Sequence, residues 1–244
     1  FELAFAEAAL GEGARALDAL ERALALHPGF INAWRALGDE LLRAGAIDMA
    51  SAAYARHVGA DAKDPALIAA AAALNEGRIA VAERQLKDYL KEHPTDVVAI
   101  RLLAELAARI GRLGDSEKLL TRAVELAPEF RAARHHLAIV RLRLGDPQAA
   151  IRDADALLAE QPGDPSVQML LCAALVRVGD FARAIATYED LLKDHKRQPK
   201  TWMNYGHALK TVGRQADAIA AYRESLALAP HLGESWWSLA NLKT

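Results

Sequence analysis

The stretch WMNYGHALKTVGRQADAIAAYRESLALAP, residues 202–230, decides the fold. Trp202, Tyr205 and Gly206 fall at helical spacing, which sets two aromatic rings on one face with a gap beside them. Gly213 ends that first helix at the point where a left-handed residue is needed. Ala218, early in a second helix, is small enough to let the two helices approach closely. Pro230 closes the unit, because a proline cannot continue the helix. The unit therefore reads helix, turn, helix, stop.

The same punctuation runs outward through the chain. Gly11, Gly45, Gly77, Gly111, Gly145, Gly179 and Gly213 recur at steps of 34, 32, 34, 34, 34 and 34. Five residues after each stands a small one: Ala16, Ala50, Ala82, Ser116, Ala150, Ala184 and Ala218. Prolines follow at Pro28, Pro94, Pro128, Pro162 and Pro230. Trp34, Leu37, Gly38, Gly45, Ala50 and Tyr54 repeat the pattern of residues 202–222. Asp146 and Pro147 read as the N-cap and first-turn proline of a second helix.

A period of 34 carried on these residues resembles the tetratricopeptide-repeat family. The resemblance implies an all-α fold, a right-handed superhelix (α-solenoid) of antiparallel helix pairs A and B. Seven repeats are expected at 1–30 (partial), 31–62, 63–96, 97–130, 131–164, 165–198 and 199–232. Residues 233–244 then form a truncated eighth helix A leading to a missing downstream domain, which leaves Trp236 and Leu239 without a covering helix. The second repeat is two residues short and lacks its proline, so residues 59–64 are read either as a tight loop or as a hinge.

Composition narrows the function. Hydrophobic residues make up 52% and charged residues 25% of the chain, the profile of a folded protein rather than a disordered one. Thirty Lys and Arg against 32 acidic residues leave a formal charge of -2, without the basic excess that a nucleic-acid surface shows. The longest apolar stretch, 66–74, is too short for a bilayer. No nucleic acid and no membrane are expected as partners, and the cytoplasm is the expected compartment. The single cysteine, Cys172, excludes an internal disulfide framework.

Catalytic signatures are missing. No glycine precedes a lysine in a phosphate loop, and neither His-Glu-x-x-His nor Gly-x-Ser-x-Gly occurs. His135 and His136 are neighbours on a helix and point about 100° apart, a poor arrangement for one metal ion. Cys172 takes a small-residue position, where a buried thiol behaves as a compact apolar group. The chain is expected to be no enzyme and to need no cofactor.

The family resemblance places a ligand on the concave wall, against the A helices at the second, fifth, ninth, twelfth and thirteenth repeat positions. Arg43, Arg109, Arg143 and Arg177 stand at the thirteenth. They read either as a ladder for carboxylates or as cations favoured at helix C-termini. At the fifth stand His135, Met169, Met203 and Trp237, which with Ile139, Leu142 and Val176 make an apolar strip suited to peptide side chains. The alternative is that they lean inward and only pack. Asp39, Glu105, His207, Lys210 and Asn241 are polar, and read either as partners for an extended peptide backbone or as a solvated face. The fifth position is never lysine, which excludes a chaperone-type carboxylate clamp.

Residues 205–215 (YGHALKTVGRQ) and 231–244 (HLGESWWSLANLKT) also resemble the junction in bacterial tetratricopeptide-sulfotransferase proteins. That resemblance implies a substrate-recruiting arm of a sulfotransferase using 3′-phosphoadenosine-5′-phosphosulfate, with the catalytic domain absent from this chain. The expected function is thus a protein- or peptide-binding module. The competing readings are a scaffold unrelated to sulfotransfer, and packing or dimerisation through the uncovered C-terminal helix.

Overall fold

In a computed structural model of the chain the described residues are 2–9, 12–28, 30–44, 46, 49, 50, 52–54, 56 and 64–242. Fourteen helices run through them: α1 Glu2–Ala9, α2 Gly13–Leu26, α3 Ile31–Arg43, α4 Pro65–Asn75, α5 Ile79–Glu92, α6 Val97–Arg109 and α7 Leu113–Leu126. They continue as α8 Arg131–Leu144, α9 Pro147–Glu160, α10 Pro165–Val178, α11 Phe181–Asp194, α12 Pro199–Thr211, α13 Gln215–Leu228 and α14 Gly233–Ala240. Met49, Ala50, 52–54 and Arg56 are helical as well. No strand occurs among the described residues. The all-α class expected from the repeat is the class found.

The helix ends follow from local chemistry. Asp64, Asp96, Asp146, Asp164 and Asp180 each accept a backbone N–H of the first turn, satisfying donors that have no partner inside the helix. Proline occupies the first turn of α4, α9, α10 and α12. The turn glycines and the helix-face glycines have different reasons. Gly179 caps α10 at φ +81°, and a Cβ there would meet nothing within 4 Å, so backbone conformation alone selects glycine. At Gly206, inside α12, a Cβ would lie 2.7 Å from Tyr222 Cε1, so space alone selects it. Gly38 and Tyr54 repeat that contact at the same 2.7 Å. Gly11 and Gly45 lie outside the described residues.

All seven small residues of the B helices are sealed: Ala16, Ala82, Ser116, Ala150, Ala184 and Ala218 are 0% exposed and Ala50 is 1%. The fourth position has a shared role in four of the repeats. The indole N–H of Trp34, Trp202 and Trp236 donates to the carbonyl oxygens of Pro28, Lys196 and Pro230, at 2.8, 2.8 and 2.9 Å. Arg134 does the same with its guanidinium, to the Pro128 carbonyl at 3.0 Å. Each bond ties the start of an A helix to the turn before it.

The chain divides into two compact units, Phe1–Val140 and Arg141–Thr244. In the first unit, one core cluster joins Leu20, Leu24, Leu37 and Tyr54 to Val97, Ile100 and Leu120. The opposite side of α6 packs on the third repeat, with Ala99 and Leu102 against Leu67, Ala70 and Leu86, and Leu106 against Leu74. Helix α6 is therefore covered from two directions, by α4–α5 and by residues of the first two repeats. In the second unit, Leu157, Leu175, Leu191, Leu209 and Tyr222 are all nearly or fully sealed. Leu239, which the sequence leaves uncovered, is only 6% exposed because α13 already packs on α14. Trp236 and Trp237 remain 55% and 68% exposed. Residues 59–63 of the expected hinge lie outside the described residues.

Candidate functional site

Two arginines of the thirteenth position, Arg109 and Arg177, reach backward to the preceding repeat. Arg109, at the end of α6, donates to the Leu74 carbonyl of α4 at 2.9 Å and pairs with Glu105 at 2.7 Å. Arg177, at the end of α10, donates to the Leu142 carbonyl of α8 at 2.7 Å. Both carbonyls lie in the last turn of the previous A helix, where acceptors lack intrahelical donors and a cation is favoured. Arg143 and Arg43 are exposed, Arg43 pairing with Glu40 on its own helix. Arg109 and Arg177 are thus first caps between consecutive A helices.

On α6 the first unit presents alternating charge. Arg101 donates to Glu105 at 3.4 Å, and the same carboxylate receives Arg109. His136 is held below the ordinary histidine range by burial, and the nearby Arg101 pushes the same way. His135 and Ile139 are half-buried on α8, the two histidine rings lying 6.2 Å apart.

In the second unit the expected apolar strip is interrupted. Met169 is half-buried and accepts the Thr201 hydroxyl at 3.3 Å. Met203 is buried at 8% exposure, which fits the alternative that a fifth-position side chain leans inward and packs. Trp237 stands well exposed.

What the second unit does assemble is a cleft of about 330 Å³ between α10 and α12. Its rim carries Val176, Arg177, Asn204, His207 and Thr211, and its floor includes Tyr188 and Ala208. Three residues picked from the sequence, Val176, Arg177 and His207, meet here, while Lys210 sits one turn from the cleft and Asn241 on α14 lies apart from it. Asn204, Phe181 and Tyr188 were missed. The signal for Asn204 was available: it shares a helix face with His207, Ala208 and Thr211 at helical spacing. Its side chain makes no hydrogen bond among the described residues.

His207 is the most constrained member of the rim. Its Nδ1 shares a 2.9 Å hydrogen bond with the Tyr222 hydroxyl, and the two rings meet edge-on at 5.4 Å. Burial lowers its pKa below the ordinary 6.5; Lys210 adds to that shift and Glu234 opposes it. Neutral imidazole is therefore the form at pH 7. Its Nε2 is covered and has no hydrogen-bond partner, with Glu234 Oε1 at 3.8 Å. The arrangement offers an apolar floor, an unsatisfied imidazole nitrogen, an amide and a cation, which is recognition chemistry. Cys172, buried on α10 with its thiol pushed up to about 12, is not part of it. No described helix is long and apolar enough to cross a membrane.

Comparisons with known proteins agree with the helical-repeat fold. Profiles of the family described as tetratricopeptide repeat match residues 1–39, 69–129, 101–165, 141–203 and 199–232. Protein FlbA of Caulobacter vibrioides is 32% identical over 165 residues, which cover 67% of this chain and 28% of that protein's length. MamA of Desulfovibrio magneticus, solved from residue 41 to its end, superposes at a TM-score of 0.65 with 16% identity, over 70% of this chain and 99% of that solved chain. YrrB, described as a TPR protein with an unusual peptide-binding site, superposes at 0.57 with 10% identity, over 91% of this chain and 98% of its own.

Proposed function

The chain belongs to the tetratricopeptide-repeat family, and on that basis we propose that it is a protein-interaction module that binds a peptide segment against its A helices. The cleft between α10 and α12 carries the reading. It joins an apolar floor to a polar rim whose Asn204 amide offers both a donor and an acceptor to a peptide backbone. Arg177 keeps donors beyond the one given to Leu142, so an acidic residue of the ligand can share its guanidinium. The peptide-binding site attributed to YrrB, a structure of the same architecture, supports the same use of the fold.

Peptide display against the full chain tests this. Selected peptides should lose about tenfold in affinity, on the order of 1.4 kcal/mol, to Asn204→Ala and to Val176→Glu. Neither change should alter thermal stability, because both side chains border the cleft and neither is buried. Equal binding by wild type and both variants would remove the cleft from the function.

A finer proposal is that these repeats recruit the acceptor of an attached sulfotransferase. Only the resemblance of residues 205–215 and 231–244 supports it. The coding sequence after Thr244 tests it: a nucleotide-binding loop at a strand-to-helix turn supports the arm, and a further repeat or a stop removes it.

A further inference from the structure

Four side-chain bonds that join neighbouring repeats span short separations. Arg109 reaches Leu74, Arg177 reaches Leu142, Thr201 reaches Met169 and Arg183 reaches Asp155, none more than 35 residues apart. Helix α3 is different. Arg35 Nη1 lies 3.5 Å from Asp96 Oδ2 and 3.5 Å from the Tyr89 hydroxyl, separations of 61 and 54 residues. The Thr95 hydroxyl donates to the Asp39 carboxylate, 56 residues away. Tyr54 donates to the same carboxylate at 2.6 Å. The Arg35–Asp96 pair is sealed, at 5% and 0% side-chain exposure. The core cluster that joins the second repeat to Val97 and Ile100 surrounds it.

Arg35 and Asp39 hold the fifth and ninth positions of their repeat, the places at which an A helix faces a ligand. Here both are spent on the chain's own Thr95-Asp96. The hydroxyl is read by a carboxylate and the carboxylate by a guanidinium, two charge-assisted contacts on adjacent residues. We propose that Thr95-Asp96 is a built-in occupant of the inner face of α3. It keeps that face closed until a ligand segment of the same chemistry, a hydroxyl residue followed by an acidic one, displaces it. The proposal rests on the reading of the A helices as ligand surfaces, and it concerns the first unit alone.

Asp96→Asn is the discriminating change. Asparagine still caps α6 through the Val98 and Ala99 amides, which Asp96 Oδ1 now accepts at 3.1 and 2.9 Å, but the charge facing Arg35 is gone. Amide hydrogen exchange in α3 should accelerate by about tenfold or more, because an unpaired buried guanidinium seeks water. Exchange in α9–α13 and the helical content should stay unchanged. Arg35→Met together with Asp96→Asn removes both charges and should return α3 exchange towards wild type. A fluorescein-labelled peptide of residues 92–98 should bind the Asp96→Asn protein about tenfold or more tighter than wild type, and lose that gain in the double variant.

Unchanged α3 exchange in Asp96→Asn overturns the clasp. Equal exchange in the single and double variants shows that Asp96 only caps α6, and overturns it too. An opened α3 that binds the peptide no better shows that the face is not a ligand face. None of these readouts touches the α10–α12 cleft, so failure here and failure there are separate results.

Discussion

Gly206→Ala pits two backbone and packing effects against each other. Alanine in a helix interior is favoured over glycine by up to about 1 kcal/mol. Against this, the new methyl would lie 2.7, 2.9 and 3.0 Å from Tyr222 Cε1, Cδ1 and Cζ. Tyr222 is fully buried and its hydroxyl is held by His207, so the ring cannot simply swing away. Overpacking of this kind costs about 1–3 kcal/mol. The residues sixteen apart in each repeat show how the conflict is avoided. Tyrosine faces glycine at Gly38–Tyr54 and Gly206–Tyr222, whereas leucine faces alanine at Ala70–Leu86 and Ala104–Leu120. Cys172–Tyr188 is an exception in which a small side chain coexists with tyrosine, so room can be made and the cost belongs at the low end. Gly206→Ala should therefore destabilise by up to about 1 kcal/mol net. At roughly 2–4 °C per kcal/mol for a domain of about 150–250 residues, thermal melting followed by circular dichroism should fall by up to about 4 °C. Gly206→Ala with Tyr222→Leu installs the pair of the third and fourth repeats and should recover most of that loss. A higher melting temperature for the single variant, or no recovery in the double, would refute the steric argument.

Removing the cap between α8 and α10 with Arg177→Ala should cost about 0.5–1.5 kcal/mol in urea unfolding, the usual worth of one hydrogen bond. Arg177 is exposed, so the lower half of that range applies. No loss of stability with full loss of peptide affinity would make the residue a ligand group only. The three histidines His93, His136 and His207 are all shifted below 6.5, mainly by burial. Their folded-state pKa values are depressed, so the unfolded chain takes up protons first. The stability they contribute is complete above pH 6.5 and declines as pH falls through the folded values. Urea midpoints should drop from about pH 6.5 downward, and His136→Gln should flatten that decline. A pH-independent midpoint across this window would contradict the shifts.

The parts of this fold that were legible are those set by one residue and its place in the period. A buried Ala or Ser five residues after each turn glycine is such a case, since close approach of two helices leaves no other choice. The bond from the fourth position was half legible. Trp34, Trp202 and Trp236 stand out, but Arg134 does the same work, and an indole and a guanidinium have only their N–H in common. Depth was not legible. Met169 and Met203 occupy identical positions in successive repeats, yet one is half-exposed and the other buried, because the period fixes direction and neighbouring side chains fix how far a chain is covered. The Arg35–Asp96 pair was invisible for a stronger reason. Reading by repeats assumes that each unit meets only its neighbours in sequence, and the second repeat, short by two residues, meets the N-terminus of α6 directly.

The thirteenth-position arginines illustrate why a column of like residues is a poor guide to ligand charge. A guanidinium near the end of an A helix has an acceptor waiting for it in the last turn of the helix before. Arg109 and Arg177 both take that acceptor, and Arg109 also takes Glu105. A ligand carboxylate must then share donors already engaged, and only the unused directions of the fork add affinity. Groups without such a prior commitment are better placed to discriminate between peptides. Asn204 is one, having no side-chain bond among the described residues, and exposed Val176 beside it is another. Specificity in the second unit should accordingly follow these two side chains more closely than the arginine ladder. Stability should follow the ladder more closely than it follows them.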